Sequence, residues 1–181
     1  MKTLLRLLLC LSFLAPLQAE DDSLKKLIEH LKKNAVQVEE MAADDGTIEV
    51  LSLYPSALSK PPAGDKPADP QPKFHSYPIL GRIKVTDPKI KKELLMEFAK
   101  SIRASIPEDG GISVALCFNP RHGIIYTKGD KKLEFLICFE CEQVHPYDGE
   151  KRVPGFAVKS TIGPEVFDAF LDKNHIKRSE L

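Results

Sequence analysis

The sequence contains no tryptophan and no excess of either charge, since 26 Lys and Arg residues stand against 26 Asp and Glu. A protein that binds nucleic acid through its phosphates needs a surplus of positive charge. The composition therefore argues against nucleic acid as a default partner. Hydrophobic residues make up 43% of the chain, which is the ordinary fraction for a globular protein and too high for a disordered one.

No apolar run is long enough to cross a bilayer, which takes about 20 residues. The first run, Leu7–Leu14, is shorter and follows two basic residues, Lys2 and Arg6. A small residue, Ala19, then precedes an acidic stretch. This order is that of a secretory signal peptide. We therefore predict a signal peptide over residues 1–19 and an exported protein, periplasmic or secreted after cleavage, without a transmembrane segment.

Cysteine is scarce, with four residues in the chain. Cys10 lies within the predicted signal peptide, and the residue before it is not small, so we expect no lipid anchor. Three cysteines remain in the single domain predicted over residues 20–181: Cys117, Cys138 and Cys141. Export to an oxidising compartment favours a disulfide. The odd number leaves a free thiol, an intermolecular bond or a metal ligand.

Hydrophobic periodicity predicts an α+β fold, in which an antiparallel sheet is packed by two or three amphipathic helices. Apolar residues at steps of four and three predict a first helix over Ser23–Ala42. Its apolar stripe is typical of a helix that packs on its own domain, although it could also bind a protein partner. Asp87-Pro88 and Gly163-Pro164 are typical starts of two further helices.

Strands are predicted between and after these helices. Thr47–Tyr54 and Tyr77–Thr86 are strand candidates, and the Pro-rich stretch over residues 55–72 predicts a long exposed loop between them. Residues 112–141 alternate between apolar and other positions around two turns, which predicts an antiparallel meander with one buried face. A short strand is expected over Val153–Lys159.

Reactive side chains are densest in CFNPRHG (Cys117–Gly123) and ICFEC (Ile137–Cys141). A tight turn over residues 128–131 would place Arg121 opposite Cys138 in the meander. We therefore expect five residues to converge at one end of the sheet as a candidate functional corner: Cys117, Arg121, His122, Cys138 and Cys141.

Two functional interpretations of this corner involve its thiols. Thiolates and imidazole suit zinc, so Cys117, His122, Cys138 and Cys141 are a candidate metal site. The C-x-x-C spacing is also typical of thiol–disulfide exchange. However, Pro146 follows too closely for the long helix that succeeds this motif in the thioredoxin pattern.

Two other interpretations concern Arg121 and His122. R-H-G resembles the histidine phosphatase motif, in which histidine is the nucleophile and arginine binds phosphate, but that family continues into a helix where a strand is predicted here. Alternatively, both side chains bond backbone carbonyls in a purely structural corner. His75, after the Pro-rich loop, is a secondary candidate that could complete a site with His122.

The main hypothesis is a non-enzymatic exported domain whose Cys/His/Arg corner is structural or binds a metal, with zinc possible, or a small ligand. The alternative is an envelope thiol-redox protein or a hydrolase that uses the C-x-x-C or R-H-G segment. The sequence contains no HExxH metal helix and no phosphate-binding loop. We therefore assign no catalytic residue from the sequence.

Several stretches resemble an uncharacterised family of small exported or membrane-anchored bacterial proteins. They are Ser52–Pro55, Phe74–Gly81, and the pair formed by Cys117–Gly123 and Ile137–Cys141. The pair, with the pattern C-F-x-P-R-H-x followed by I-C-F-x-C, is the most specific part. The resemblance implies a shared fold and a bacterial source, and it implies no activity. The signal lacks a lipobox, so the anchoring of some members is not expected here.

Overall fold

The structure is a computed structural model that describes residues 14–55, 72–108 and 115–179, with side chains from Asp22 onward. The helices of this part are α1 (Leu14–Ala43), α2 (Pro88–Ala104) and α3 (Pro164–Lys173). The strands are β1 (Thr47–Leu53), β2 (Lys73–Phe74), β3 (Tyr77–Val85), β4 (His122–Lys128), β5 (Lys131–Cys138), β6 (Gln143–Asp148), β7 (Lys151–Arg152) and β8 (Phe156–Ala157).

The strands form one antiparallel sheet in the order β2-β3-β1-β4-β5-β6-β7, and β8 also pairs with β6. The predicted α+β class is therefore confirmed. The tight turn between β4 and β5 is also where the sequence places it, because Thr127 pairs with Lys132 and Lys128 with Lys131.

The meander differs from the prediction at its start. Residues 115–121 form no strand, and 112–114 lie outside the described residues. The edge of β4 that this segment would have used is taken by β1, which pairs Ile48 with Tyr126 and Ser52 with His122. The meander is therefore β4-β5-β6, and the segment before β4 crosses one face of the sheet.

The two faces of the sheet are covered differently. Ile48, Ile124 and Phe135 lie on the face that packs against the helices, which we call the helix face. On the opposite, outer face, Leu51, Phe74 and Leu136 belong to a smaller apolar cluster under the β2–β3 hairpin. Because side chains alternate along a strand, neighbouring residues of one strand lie on opposite faces. This alternation decides which candidate residues can meet.

Helix boundaries follow local signals. Asp87 caps α2, since its Oδ1 accepts a hydrogen bond of 2.8 Å from the backbone N–H of Lys89, and Pro88 occupies the first turn. The start of α3 after Gly163 is also confirmed. Gly163 has φ +104°, and a Cβ at this position would lie 2.8 Å from the Phe139 ring. A larger residue there would push α3 away from the sheet.

The apolar stripe of α1 is buried within its own domain. Leu31, Ala35 and Val38 are at most 1% exposed and belong to the core on the helix face. Glu39 of α1 receives two hydrogen bonds, of 2.6 and 2.8 Å, from the Arg103 guanidinium of α2. The prediction that this stripe could bind a partner gains no support, because the domain itself covers it.

Two sequence predictions lie mostly outside the described residues. Residues 1–13 of the predicted signal peptide are not described. The backbone of residues 14–19 forms the first turns of α1. Residues 56–71 of the predicted Pro-rich loop are likewise outside. Within the described ranges, no helix combines the length and the apolar character needed to cross a membrane.

Candidate functional site

The three cysteines after Cys10 lie at one end of the sheet. Cys138 is the last residue of β5, Cys141 lies in the turn before β6, and Cys117 belongs to the segment that precedes β4. The Sγ atoms of Cys117 and Cys141 are 3.2 Å apart, and the backbone N–H of Cys141 donates to Cys138 Sγ at 3.2 Å. A disulfide has sulfurs about 2.0 Å apart, and none of these three is disulfide-bonded here.

The first half of residues 115–121, a stretch that we call the crossing segment, is fixed to the outer face by a few polar and ring contacts. The Gln143 amide donates to the carbonyl oxygens of Ala115 and Cys117, at 2.5 and 3.3 Å. The Phe118 ring stacks on His145 with centroids 3.5 Å apart. Burial, with the positive charge of Arg152 as a smaller cause, lowers the pKa of His145 to about 4.

Neither thiol of the close pair is activated. The hydrogen bond with Cys141 raises the pKa of Cys117, and burial raises the pKa of Cys141, with its contact to Cys138 adding to the effect. Nucleophilic cysteines instead have lowered pKa values, because the thiolate is the reactive form. The raised pKa values keep Cys117 and Cys141 in the thiol form at neutral pH, which does not favour a nucleophilic role for either.

His122 faces the opposite side of the sheet from Cys138. It pairs with Ile137, so the two share a face, and Cys138 is the next residue of β5. The His122 ring packs between the aromatic rings of Phe139 and Phe167, with centroids 5.5 and 5.8 Å away. Its side chain is only 7% exposed.

The four predicted zinc ligands are therefore not brought together. Because the side chains of His122 and Cys138 leave the sheet on opposite faces, they do not reach one ion. Within the described ranges, no group of three or more His, Cys, Asp or Glu side chains is placed to hold a metal. The prediction of a zinc site gains no support from this geometry.

A carboxylate from α3 is the partner of His122. His122 Nε2 lies 2.9 Å from Asp168 Oδ1, and Arg178 Nη1 lies 2.8 Å from the other oxygen, Oδ2. Arg178 also donates from Nε and Nη2 to Asp172, at 2.7 and 2.9 Å. Burial opposes the ionisation of Asp168, but hydrogen bonds and charges from His122 and Arg178 outweigh it and lower the pKa.

These groups line a cleft of about 250 Å³ on the helix face. The polar part of its wall also includes Ser52, Asn119, Arg121, Glu140, Ser160 and Ser179. Arg121 Nη2 lies 3.2 Å from Glu140 Oε2. The Nε of Arg121 is buried and has no hydrogen-bond partner among the described residues. The cleft thus holds one guanidinium whose donors are incompletely used.

The predicted corner is in fact two neighbouring sites. The thiols lie together at one place, Arg121 and His122 line the cleft at another, and the turn of residues 139–142 contributes to both, through Cys141 and Glu140. Sequence reasoning missed Asp168 and Arg178. Only the folded chain brings them to His122, and neither stands in a motif that marks it.

His75 does not lie beside His122, with which it was predicted to complete a site. It contacts Glu134 on the outer face, with Nε2 and Oε2 3.1 Å apart, and its ring stacks on Tyr147 at 3.6 Å. His122 projects from the helix face instead. The two histidines therefore do not complete one site. After His122 the chain continues as β4 and not as a helix, so the resemblance to the histidine phosphatase motif does not extend to its structural setting.

Comparisons of the chain with protein-family models, with curated proteins and with solved structures found no match. The resemblance of the two cysteine-containing motifs to a family of small exported bacterial proteins stays a prediction. Functional inference therefore depends on the geometry of the cleft and of the thiols.

Proposed function

We propose that the protein is a non-enzymatic binding domain and that its cleft takes a small molecule through a carboxylate or phosphate group. The observation that carries this proposal is the position of Arg121. Its guanidinium lines the cleft beside the buried His122, its Nη2 pairs with the exposed carboxylate of Glu140, and its Nε, itself buried, has no hydrogen-bond partner among the described residues. Guanidinium donors match carboxylate and phosphate oxygens in a planar, two-point geometry.

The present partner of Arg121 is easily replaced. The Glu140 side chain is 66% exposed, and that of Arg121 is 40% exposed. Exposed ion pairs of this kind contribute only about 0–1 kcal/mol, because water screens the charges and the side chains lose freedom. A ligand anion that enters the cleft can therefore take the place of the Glu140 carboxylate without a large cost.

A second part of the cleft wall is held together by ion pairs. Asp168 is held between His122 and Arg178 by contacts of 2.9 and 2.8 Å, and His122 is nearly buried. This wall supplies oriented polar groups next to the guanidinium of Arg121. A cleft of about 250 Å³ with such walls suits a small polar molecule and not a polymer.

Titration calorimetry with inorganic phosphate and with citrate as probes tests the proposal. We expect the Arg121→Gln variant to bind the better probe about 10- to 100-fold more weakly, since a charge-assisted hydrogen bond contributes about 1.5–3 kcal/mol. Arg82→Gln is the matched control, because Arg82 is an exposed arginine on β3 that does not line the cleft. Equal losses in both variants, or no binding of either probe by the wild type, would contradict the proposal.

One observation favours a second function, a hydrolase. A buried histidine held 2.9 Å from a carboxylate is the arrangement of a general base and its orienting group. Turnover of p-nitrophenyl phosphate or p-nitrophenyl acetate that is lost in His122→Asn but retained in His145→Asn would favour this alternative. Binding without turnover favours the non-enzymatic domain.

We also propose that the protein is exported after cleavage near Ala19. Of the described residues, cleavage near Ala19 would remove only 14–19, the first turns of α1. The fully buried residues described in this helix begin later, at Leu31. We expect the protein made with its complete N-terminus in a bacterial host to begin at Glu20. Mass spectrometry of the protein recovered from the periplasm or the medium measures this directly. A full-length protein retained in the cytoplasm would contradict export.

A further inference from the structure

We propose that Cys117 and Cys141 form a reversible disulfide that fixes the crossing segment to the turn between β5 and β6, and thereby fixes Arg121 at the cleft. The bond would make the protein respond to the redox state of its surroundings. This inference concerns the thiols and the crossing segment, so it does not require the cleft to bind an anion.

The two sulfurs are already in contact. Their separation of 3.2 Å leaves a small movement to reach the bonded distance of about 2.0 Å. Cys117 is exposed and Cys141 is 1% exposed. An oxidant from solution therefore meets Cys117 first, and Cys141 lies immediately behind it as the second thiol.

Cys138 is the less suitable partner for either thiol. Its sulfur already accepts the hydrogen bond from the backbone N–H of Cys141, whereas the sulfurs of Cys117 and Cys141 are 3.2 Å apart. A bond from Cys138 to Cys141 would leave this N–H to find another acceptor. The sequence left the pairing open, whereas the geometry points to Cys117–Cys141 with Cys138 as the remaining thiol.

The bond would change the freedom of the crossing segment. The segment has no regular secondary structure, and the contacts that fix it are few. Near its end, the carbonyl oxygen of Arg121 accepts a hydrogen bond of 2.9 Å from the backbone N–H of Leu53. A covalent link at Cys117, four residues earlier, restricts the segment and so protects this hydrogen bond.

The chemistry balances as thiol–disulfide exchange with a disulfide oxidant, either a small molecule or a protein. The Cys117 thiolate attacks one sulfur of the oxidant, forms a mixed disulfide and releases one thiolate. The Cys141 thiolate then attacks the Cys117 sulfur and releases the second. Two protons leave the protein thiols, and their two electrons reduce the oxidant to two thiols. The raised pKa values of both cysteines make this exchange slow at neutral pH and faster in alkali.

The first test is the pairing itself. The full chain is equilibrated with oxidised and reduced glutathione, the free thiols are alkylated in denaturant, and the peptides are mapped by mass spectrometry. We expect one internal bridge, Cys117–Cys141, and alkylation of Cys138 and, in any chain that keeps residues 1–19, of Cys10. A bridge that includes Cys138, or a glutathione adduct that persists on Cys117 without an internal bridge, would overturn the proposal.

The second test measures the crossing segment by amide hydrogen exchange. In the oxidised protein we expect the Leu53 amide to exchange at least about threefold more slowly than in the reduced protein, because its acceptor is held in place. Cys117→Ser should remove this difference, and its exposed position makes the variant safe for folding. Cys138→Ala, if its melting temperature shows it folded, should keep the difference. Equal exchange rates in oxidised and reduced wild type would overturn the coupling.

Discussion

At the residue scale, hydrogen bonds of single side chains join the helices to the strands, and Asp44 is the clearest case. Its carboxylate accepts hydrogen bonds from the Tyr126 hydroxyl at 2.5 Å and from the backbone N–H of Gly46 at 2.9 Å. The buried Lys91 ammonium donates to the backbone carbonyl oxygens of Asp44 and Gly46, at 2.5 and 2.9 Å. This network joins the end of α1 to α2 and β4. No sequence motif marks this network, because Asp44, Lys91 and Tyr126 meet only in the folded chain.

The Asp44 network makes the free energy of unfolding depend on pH in the acidic range. Burial disfavours the carboxylate, but hydrogen bonds from Tyr126, Gly46 and Lys128 outweigh this and lower the pKa to about 2. A carboxylate whose pKa is lower in the folded than in the unfolded state stabilises the fold above pH 4, and this contribution is lost as the pH falls towards 2. We expect the decrease in unfolding free energy between pH 5 and pH 2 to be smaller by about 2 kcal/mol in Asp44→Asn.

Urea denaturation at several pH values measures this difference. Asp148→Asn is the control, because Asp148 is an exposed carboxylate at the end of β6. An acid dependence in Asp44→Asn equal to that of the wild type would show that the network does not carry the effect.

At the scale of elements, the sequence predicted helix starts correctly, because the residues that determine them are local. The starts of α2 and α3 depend on Asp87-Pro88 and Gly163-Pro164, which act within one helical turn, and both were predicted correctly. The start of the meander predicted over residues 112–141 was wrong within its described part, residues 115–121, because strand pairing is not local. Alternation shows that a segment can form a strand, but it does not show that β1 already occupies the neighbouring edge.

The helix α2 packs on the helix face of the sheet through a buried aromatic ring. Phe98 is fully buried and contacts the rings of Phe135 and Phe156, with centroids 5.7 and 6.2 Å away. We expect Phe98→Ala to lower the free energy of unfolding by about 3–5 kcal/mol, since it removes buried apolar area and leaves a cavity. Chemical denaturation measures the change. Met96→Ala on the same helix is the control, because Met96 is 41% exposed and should cost less than about 1 kcal/mol.

A loss below about 1 kcal/mol in Phe98→Ala would contradict the packing described for α2. A large loss in Met96→Ala would do the same, because it would place the exposed face of the helix in contact with the rest of the domain. The two variants together therefore test the orientation of α2 and not only its presence.

At the scale of the whole molecule, the sheet separates the Arg121–His122 pair from the Cys138 thiol, although the sequence motifs that contain them suggest one site. Arg121 and His122 line the cleft, and Cys138 leaves the sheet on the outer face. The turn between β4 and β5 lies where the sequence predicts it and sets the register of the two strands. Because side chains alternate between the faces of a strand, His122 and Cys138 lie on opposite faces of the sheet. Asp168 and Arg178 could not be found in the same way, because α3 and the residues after it reach the cleft only through tertiary packing.

We propose Arg121 as the anion-binding group of the cleft, and nuclear magnetic resonance of the arginine Nε–H groups tests this proposal most directly. The full chain, labelled with ¹⁵N, is titrated with inorganic phosphate while the Arg121 and Arg82 signals are followed. We expect the Arg121 signal to shift and saturate as a single site, at the affinity that calorimetry gives, and the Arg82 signal to stay in place. An unsaturated drift shared by both arginines, or an Arg121 signal that does not move, would contradict the claim.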